Sequence, residues 1–297
     1  MSGLRGKDRT RYVTAAQPVK RALRLLGRAF PPEPGRRVVV LCYHSVHPSL
    51  PFRSVTPAAF SEHLAWLRAN CRCVPFSQVL SAGRGQADDK PLVSITFDDG
   101  YADNHEFALP LLVDSGIPAT FFLTAGLLER DRSTIHRFRH LRSVDPELIQ
   151  PLSWVQVGEM LQAGMEIGAH SYSHPNLARL GDRELEYELA HSKWIIEERV
   201  GGEITMMAYP FGRPKVHVDA RVLEFVRRAG FDLAATTSTL GLKEGDDPLS
   251  IPRFFATQDP VEILREKVLG FWDLIGTVRE RAPLSVVKIV SPSDFRF

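Results

Sequence analysis

Asp98-Asp99-Gly100 closes the apolar run Val93-Ser94-Ile95-Thr96-Phe97, and His170-Ser171-Tyr172-Ser173-His174 follows a second apolar run about seventy residues later. Two carboxylates at one predicted strand end and two imidazoles at another can ligate a divalent cation and leave one acid over as a base. Asp99, His170 and His174 form the candidate ligand set, because a catalytic zinc commonly takes three protein ligands and keeps a fourth position open. The two histidines stand four positions apart, so one loop or helical turn presents both. Ser171 and Ser173 add hydroxyls able to orient the ligands from outside. Successive side chains diverge along extended backbone, so Asp98 is left to hold the attacking water as base. Asp-Asp-Gly alone reads as a turn, and His-x-x-x-His alone is weak. Paired at two strand ends, they describe a metal-dependent hydrolase.

The elements that must position these residues alternate. Strands are expected at Val38–Tyr43, Cys73–Phe76, Val93–Phe97, Ala119–Thr124, Glu166–Ala169, Ile204–Tyr209 and Leu233–Thr237. Helices are expected between them. Thr56-Pro57 is an N-cap followed by proline at the first helical position, with Phe60, Leu64 and Leu67 as the buried stripe. Asn104–Ser115 ends at Gly116. Ser153-Trp154-Val155-Gln156 is a capping box opening a helix that runs to Ala163. Asp182–Val200 is a long helix closed by Gly201, Val218–Ala229 another, and Pro260–Val278 a last one. Leu127–Pro151 is expected as an irregular surface insertion. This order predicts an α/β fold, a distorted barrel of about seven β/α units in which functional residues gather where strands end. Asp98, Asp99, His170, His174, Tyr209 and His44 all lie at such ends. No glycine-rich phosphate fingerprint follows the first strand, which argues against dinucleotide binding.

The chain has 297 residues, 24% of them charged, and a net charge of +2. That balance is uneven, with residues 1–37 carrying a net +8 and the remainder −6. Two units follow: a basic amphipathic arm over 1–37, and a catalytic domain over 38–297 that includes the C-terminal helix. Within 19–30, Lys20, Arg21, Arg24 and Arg28 fall on one helical face, with Val19, Ala22, Leu23, Leu26 and Phe30 on the other. That pattern suits peripheral contact with an anionic membrane, or a short helix docked on the domain. Nucleic acid is not an expected partner, since the rest of the chain is acidic and no aromatic residues interleave with the basic cluster. No apolar stretch is long enough to span a bilayer, and the first thirty residues lack a signal-peptide core. The expected location is the cytoplasm or the cytoplasmic membrane face, with an extracellular location as the alternative. Cys42, Cys71 and Cys73 make no disulfide framework and read as buried thiols.

Three motifs resemble those of the polysaccharide deacetylases, the NodB-homology or carbohydrate esterase family 4 proteins: Thr96-Phe97-Asp98-Asp99-Gly100-Tyr101, His170-Ser171-Tyr172-Ser173-His174 and Ala208-Tyr209-Pro210-Phe211-Gly212. The resemblance runs from about Val38 to Phe254. It implies a distorted (β/α) barrel and one divalent cation, zinc before cobalt or nickel. It also implies removal of acetyl groups from N-acetylated, N-acetylglucosamine-type sugars in a polysaccharide or glycoconjugate. By motif position Asp98 is the base and Asp99, His170 and His174 are the ligands. Tyr101, Tyr209 and the backbone N–H of Phe211 stand in the substrate or oxyanion region. Two departures stand out. Ala208 occupies the place of an arginine that pairs with the base, and no histidine follows His217 to act as the late general acid. Both departures are similar to the poly-N-acetylglucosamine deacetylase branch, in which an early Tyr-His supplies the acid. Here that pair is Tyr43-His44, which makes His44 the candidate acid. Arg253 is the candidate replacement for the missing arginine. The rival expectations are a non-catalytic glycan-binding module, and a deacetylase of a lipid-linked sugar or small amide.

Overall fold

The computed structural model describes residues 22–29, 37–49, 53–82, 89–142, 150–257 and 259–281. Its first strong strands, β1 (Val38–Tyr43) and the strand Leu92–Phe97, have every residue buried. That is the pattern of a parallel sheet covered on both faces. A two-stranded ribbon, β2 (Ser45–Val46) and β3 (Ser54–Val55), lies between them in sequence. Numbering continues with β4 (Arg72–Cys73), β5 (Leu92–Phe97), β6 (Ala119–Leu123), β7 (Glu166–Ala169), β8 (Met206–Ala208), β9 (Leu233–Ala235) and β10 (Phe254–Phe255). The main sheet runs β10-β1-β5-β6-β7-β8-β9, parallel throughout, with β4 added on β5. Leu41 on β1 pairs with Phe254, and Ile251 bridges Ala235 at the far end. The segment 251–255 thus joins the last strand back to the first, and the sheet curls into a distorted (β/α)7 barrel.

Side-chain alternation sorts two layers. Val39, Leu41, Tyr43, Ile95, Phe97 and Phe121 face the helices, while Val38, Val40, Phe122, Met206, Ala208 and Ile251 form a second cluster on the opposite side of the strands. Along β1 and β5 that second set continues as Cys42, Ser94 and Thr96, so the same period brings Asp98 to the inner face at the strand's end.

Helix α1 covers 22–29 and α2 spans Pro57–Asn70. The Thr56 hydroxyl caps α2 by accepting from Ala59 N at 3.2 Å, and Phe60, Leu64 and Leu67 are buried. Helix α3 (Leu109–Ser115) is preceded by a π-helical turn, Asn104–Ala108, and is closed by left-handed Gly116 (φ 66°). Helix α6 (Trp154–Gln162) carries the full capping box of Ser153 and Gln156. The expected long helix after Gly181 runs unbroken over its expected length, as α7 (Asp182–Glu186), a π-helical turn Tyr187–His191, and α8 (Ser192–Val200). Helix α9 (Ala220–Arg228) is capped by Asp219.

Three expectations are corrected. The insertion Leu127–Pro151 is not irregular as far as it is described, because α4 (Ala125–Leu128) and α5 (Arg132–Arg142) occupy its first part. Asp131 starts α5, its Oδ2 accepting from Thr134 N at 2.8 Å, an N-cap signal hidden among arginines and histidines. Residues 143–149 lie outside the described residues. The expected strand Cys73–Phe76 stops at Cys73, since Pro75 has no N–H for a ladder and Phe76–Gln78 form a 3₁₀ turn. The last helix is two, α10 (Val261–Val268) and α11 (Asp273–Arg281), broken at left-handed Gly270 (φ 86°).

Helix α1 docks on the α10–α11 junction. Arg24 and Arg28 both bond Glu266, whose side chain is only 4% exposed, and Arg24 lies 5.4 Å from the Trp272 ring. The basic face therefore turns toward the domain, and Leu25 and Leu26 are half exposed instead. Lys20 and Arg21 lie outside the described residues.

Candidate active site

Asp99, His170 and His174 converge. Asp99 sits at the end of β5 with φ 77°, and left-handed Gly100 follows it. This reversal swings Asp99 out of the strand alternation and toward the histidines. Ser171 (φ 60°), His174 (φ 58°) and Phe211 (φ 60°) are also left-handed. Four of the seven such non-glycine residues among the described residues thus fall in the three motifs, and backbone strain is concentrated where the chemistry would be.

Asp99 Oδ1 lies 3.6 Å from His170 Nε2 and 3.5 Å from His174 Nε2, with all three side chains buried. Ligands bonded tetrahedrally at about 2.0–2.2 Å stand about 3.3–3.6 Å apart, so these separations fit a shared zinc-sized cation. Two other atoms of the set are already committed. Tyr101 donates its hydroxyl to Asp99 Oδ2 at 2.7 Å. His170 Nδ1 lies 2.7 Å from Ala208 O. A proton on that nitrogen leaves the Nε2 lone pair for a metal, the arrangement that fixes metal-binding imidazoles. Ala208, which lacks an arginine side chain, contributes through its carbonyl.

Asp98 faces a different group. Arg253, wholly buried, donates Nη1 to Asp98 Oδ1 at 2.7 Å and Nη2 to Oδ2 at 2.8 Å. Arg253 is fixed in turn by Thr96 Oγ1 and by Thr236 O. Burial disfavours charge on Asp98, but the Arg253 guanidinium and the nearby His170 hold its carboxyl well below the usual carboxylate range. Cys42 Sγ also points at Asp98, 3.4 Å from Oδ2, and burial pushes this thiol's pKa well up. His44 follows β1, and a ring nitrogen comes within 4.8 Å of both Asp98 and Cys42. Cys42, His44 and Asp98 could by type ligate a metal, but the guanidinium across both Asp98 oxygens makes that corner unsuited to a cation.

Two residues expected in the substrate region have their hydroxyls engaged within the protein. Tyr209 spends its hydroxyl on Leu249 O at 2.9 Å and its ring lies in the core, so it braces the barrel. Tyr101 gives its hydroxyl to Asp99. Phe211 packs its ring against His174 at 4.8 Å, and its carbonyl accepts from Thr237 Oγ1.

Two supports were not foreseen. Glu188, on the π-helical turn before α8, accepts from Tyr172 N (3.0 Å), Ser173 N (2.8 Å) and Ser173 Oγ (2.5 Å), clamping the loop between the two histidines. Asn104, on the π-helical turn before α3, donates to His44 O and to Asp103 Oδ1, both at 2.9 Å. Each π turn thus aims one polar side chain at one site loop, a recurring use of such bulges. Periodicity could not reveal either, because a π turn shifts every later residue off the 3.6 repeat.

Residues 85–234, half of the chain, match the family model described as Polysaccharide deacetylase. The chain belongs to the polysaccharide deacetylase family. Among curated relatives, YxkH, a candidate polysaccharide deacetylase of Bacillus subtilis (strain 168), is 28% identical over 203 residues, 68% of this chain and 64% of that protein. Among solved structures, IcaB from Ammonifex degensii superposes with a TM-score of 0.65 at 28% identity, covering 78% of this chain and 97% of that one. The deacetylase PplD of Streptococcus pyogenes, solved with acetate, matches with a TM-score of 0.65 at 22% identity over 78% of this chain and 98% of its own, a likeness of fold.

Proposed function

We propose that this protein is a metal-dependent hydrolase that removes N-acetyl groups from N-acetylglucosamine-type units of a glycan. The observation that carries the reading is the convergence of Asp99, His170 and His174 beside an Asp98 held through both oxygens by Arg253. Asp99, His170 and His174 are the ligands of one divalent cation, zinc in first place, with cobalt or nickel able to occupy the same donor set. When bound, such a cation polarises an amide carbonyl and lowers the pKa of water toward 7.

The chain's own residues do the rest. Asp98 accepts a proton from the attacking water, and Arg253 keeps its two oxygens in register for that transfer. The Phe211 N–H, turned by its left-handed backbone, is the proposed donor to the developing oxyanion. His44 gives a proton to the departing sugar amine, and acetate and a free amine leave.

The test is acetate release from N-acetylglucosamine oligomers against metal occupancy. Full activity is expected near one divalent ion per chain. Replacing Asp98 with Asn, or His44 with Ala, is expected to lower turnover at least a hundredfold without unfolding. Release that survives both replacements, or a protein that takes up no cation, would overturn the reading.

A further inference from the structure

An open cleft of about 600 Å³ lies beside the loop that carries the two histidines, lined by Glu129, Asp131, Tyr172, Trp194, Glu198 and Arg199 among others. Tyr172 stands between His170 and His174 in sequence, so the cleft begins at the ligand loop itself. From there a row of rings runs along the helix. Tyr172 meets Tyr187 at 5.5 Å and His191 at 5.1 Å. Tyr187 stacks on His191 at 4.6 Å, and His191 on Trp194 at 5.5 Å with their planes only 14° apart. Residues 187, 191 and 194 recur at helical spacing, so the rings form one continuous platform. Packing does not explain it, because Tyr187 is 50% and Trp194 55% exposed. Large aromatic surface left in contact with water marks a binding face.

The polar edge of the platform is predominantly acidic. Glu129, Asp131 and Glu198 outnumber Arg199, which is itself held by Glu129 at 2.8 Å. Asp131 is fixed by bonds from Ser133 Oγ and Thr134 Oγ1 at 2.5 and 2.8 Å. Flat aromatic faces suit the C–H face of a pyranose ring, and rings beside carboxylates suit an ammonium group. A neutral acetamido sugar satisfies only the first condition. A deacetylated amino sugar satisfies both. We propose that this cleft is a subsite for an already deacetylated, positively charged amino-sugar unit of the same glycan chain. It rests on the deacetylase reading for the origin of that unit. Occupied there, a released amine anchors the chain while another acetylated unit enters the metal site, so a partly deacetylated glycan is the better substrate.

The test separates the two readings by measuring binding without turnover. Metal-stripped full-length protein with Asp98→Asn is titrated calorimetrically with a glucosamine pentamer and, separately, with an N-acetylglucosamine pentamer. The glucosamine pentamer is expected to bind at least fivefold more tightly, and Trp194→Ala to abolish that preference. In the enzyme with Asp98 intact, Trp194→Ala is expected to raise KM for partly deacetylated oligomers at least fivefold and to leave the di-N-acetylated disaccharide unchanged. Tyr187→Ala serves as the second variant should Trp194→Ala lose its fold. Equal binding of both pentamers, or a preference that survives both variants, would overturn the subsite and leave acetate release standing.

Discussion

Arg253 clamps both carboxylate oxygens of Asp98, at 2.7 and 2.8 Å, from 155 positions away in sequence. A buried ion pair of this kind is costly to break from one side, about 3–5 kcal/mol, because the remaining charge is left in a poor solvent. Arg253→Ala is therefore expected to lower the melting temperature by roughly 10 °C, at about 2–4 °C per kcal/mol for a chain of this size. Turnover should fall at least a hundredfold. Arg253→Lys keeps the charge but not the two-pronged grip, and should recover stability more than activity. Calorimetry and acetate release on the same preparations check both parts.

Tyr101 gives a second prediction. Its hydroxyl holds Asp99 Oδ2 and so aims Oδ1 at the two imidazoles. Tyr101→Phe is expected to weaken metal binding about 10–100-fold, the usual cost of losing an outer hydrogen bond to a ligand. Competition against a chromogenic chelator reads this directly. Unchanged affinity would show that Asp99 needs no such support.

Glu188→Ala should act on the same loop from the other side. It leaves Ser173 N and Ser173 Oγ without their carboxylate, at a cost of about 1–3 kcal/mol for each donor that water does not recover, while Tyr172 N keeps the Glu188 carbonyl at 3.1 Å. The expected result is a lowered melting temperature and at least tenfold weaker metal binding, with Glu188→Gln intermediate. Amide exchange at Ser173 should rise in step.

Asp103 predicts a pH signature. It is buried beneath the His44 loop, bonded by Ser45 Oγ and Asn104 Nδ2, with Glu106 nearby. Burial raises its pKa from 3.8 to about 7, against the pull of those hydrogen bonds. A raised carboxyl keeps its proton in the folded state longer than in the unfolded one. Its stability contribution is full below about pH 4, declines as pH rises, and is gone above about pH 7, a swing on the order of 4 kcal/mol. Asp103→Asn mimics the protonated group. The variant should be more stable than the parent at pH 8 and converge with it toward pH 4. Parallel melting curves across that range would refute the assignment.

Much of the barrel was legible because its strands are pure apolar runs and its helices carry strong local punctuation. Thr56-Pro57, Ser153 with Gln156, Gly116 and Gly201 each act within one turn, so local chemistry decides them. Asp98, Asp99, His170 and His174 were legible for the same reason, since strand ends hold functional groups in any barrel. Arg253 could be suspected only from a gap at Ala208, because nothing local reports a partner just ahead of β10. Glu188 and Asn104 were not legible at all. Their roles depend on π turns, which leave no mark in composition. The orientation of Arg24 and Arg28 was also hidden, because a single acid, Glu266, in a distant helix decides which face of α1 turns inward.

The short stretch from Ile251 to Phe255 ties the end of the sheet to its beginning and carries Arg253 between those two ties. Assembly and chemistry are consequently coupled through one arginine. A polypeptide truncated ahead of this stretch would have to bury Asp98 with no guanidinium across its two oxygens, so the proposed base would be set in place only with the final stitch of the ring.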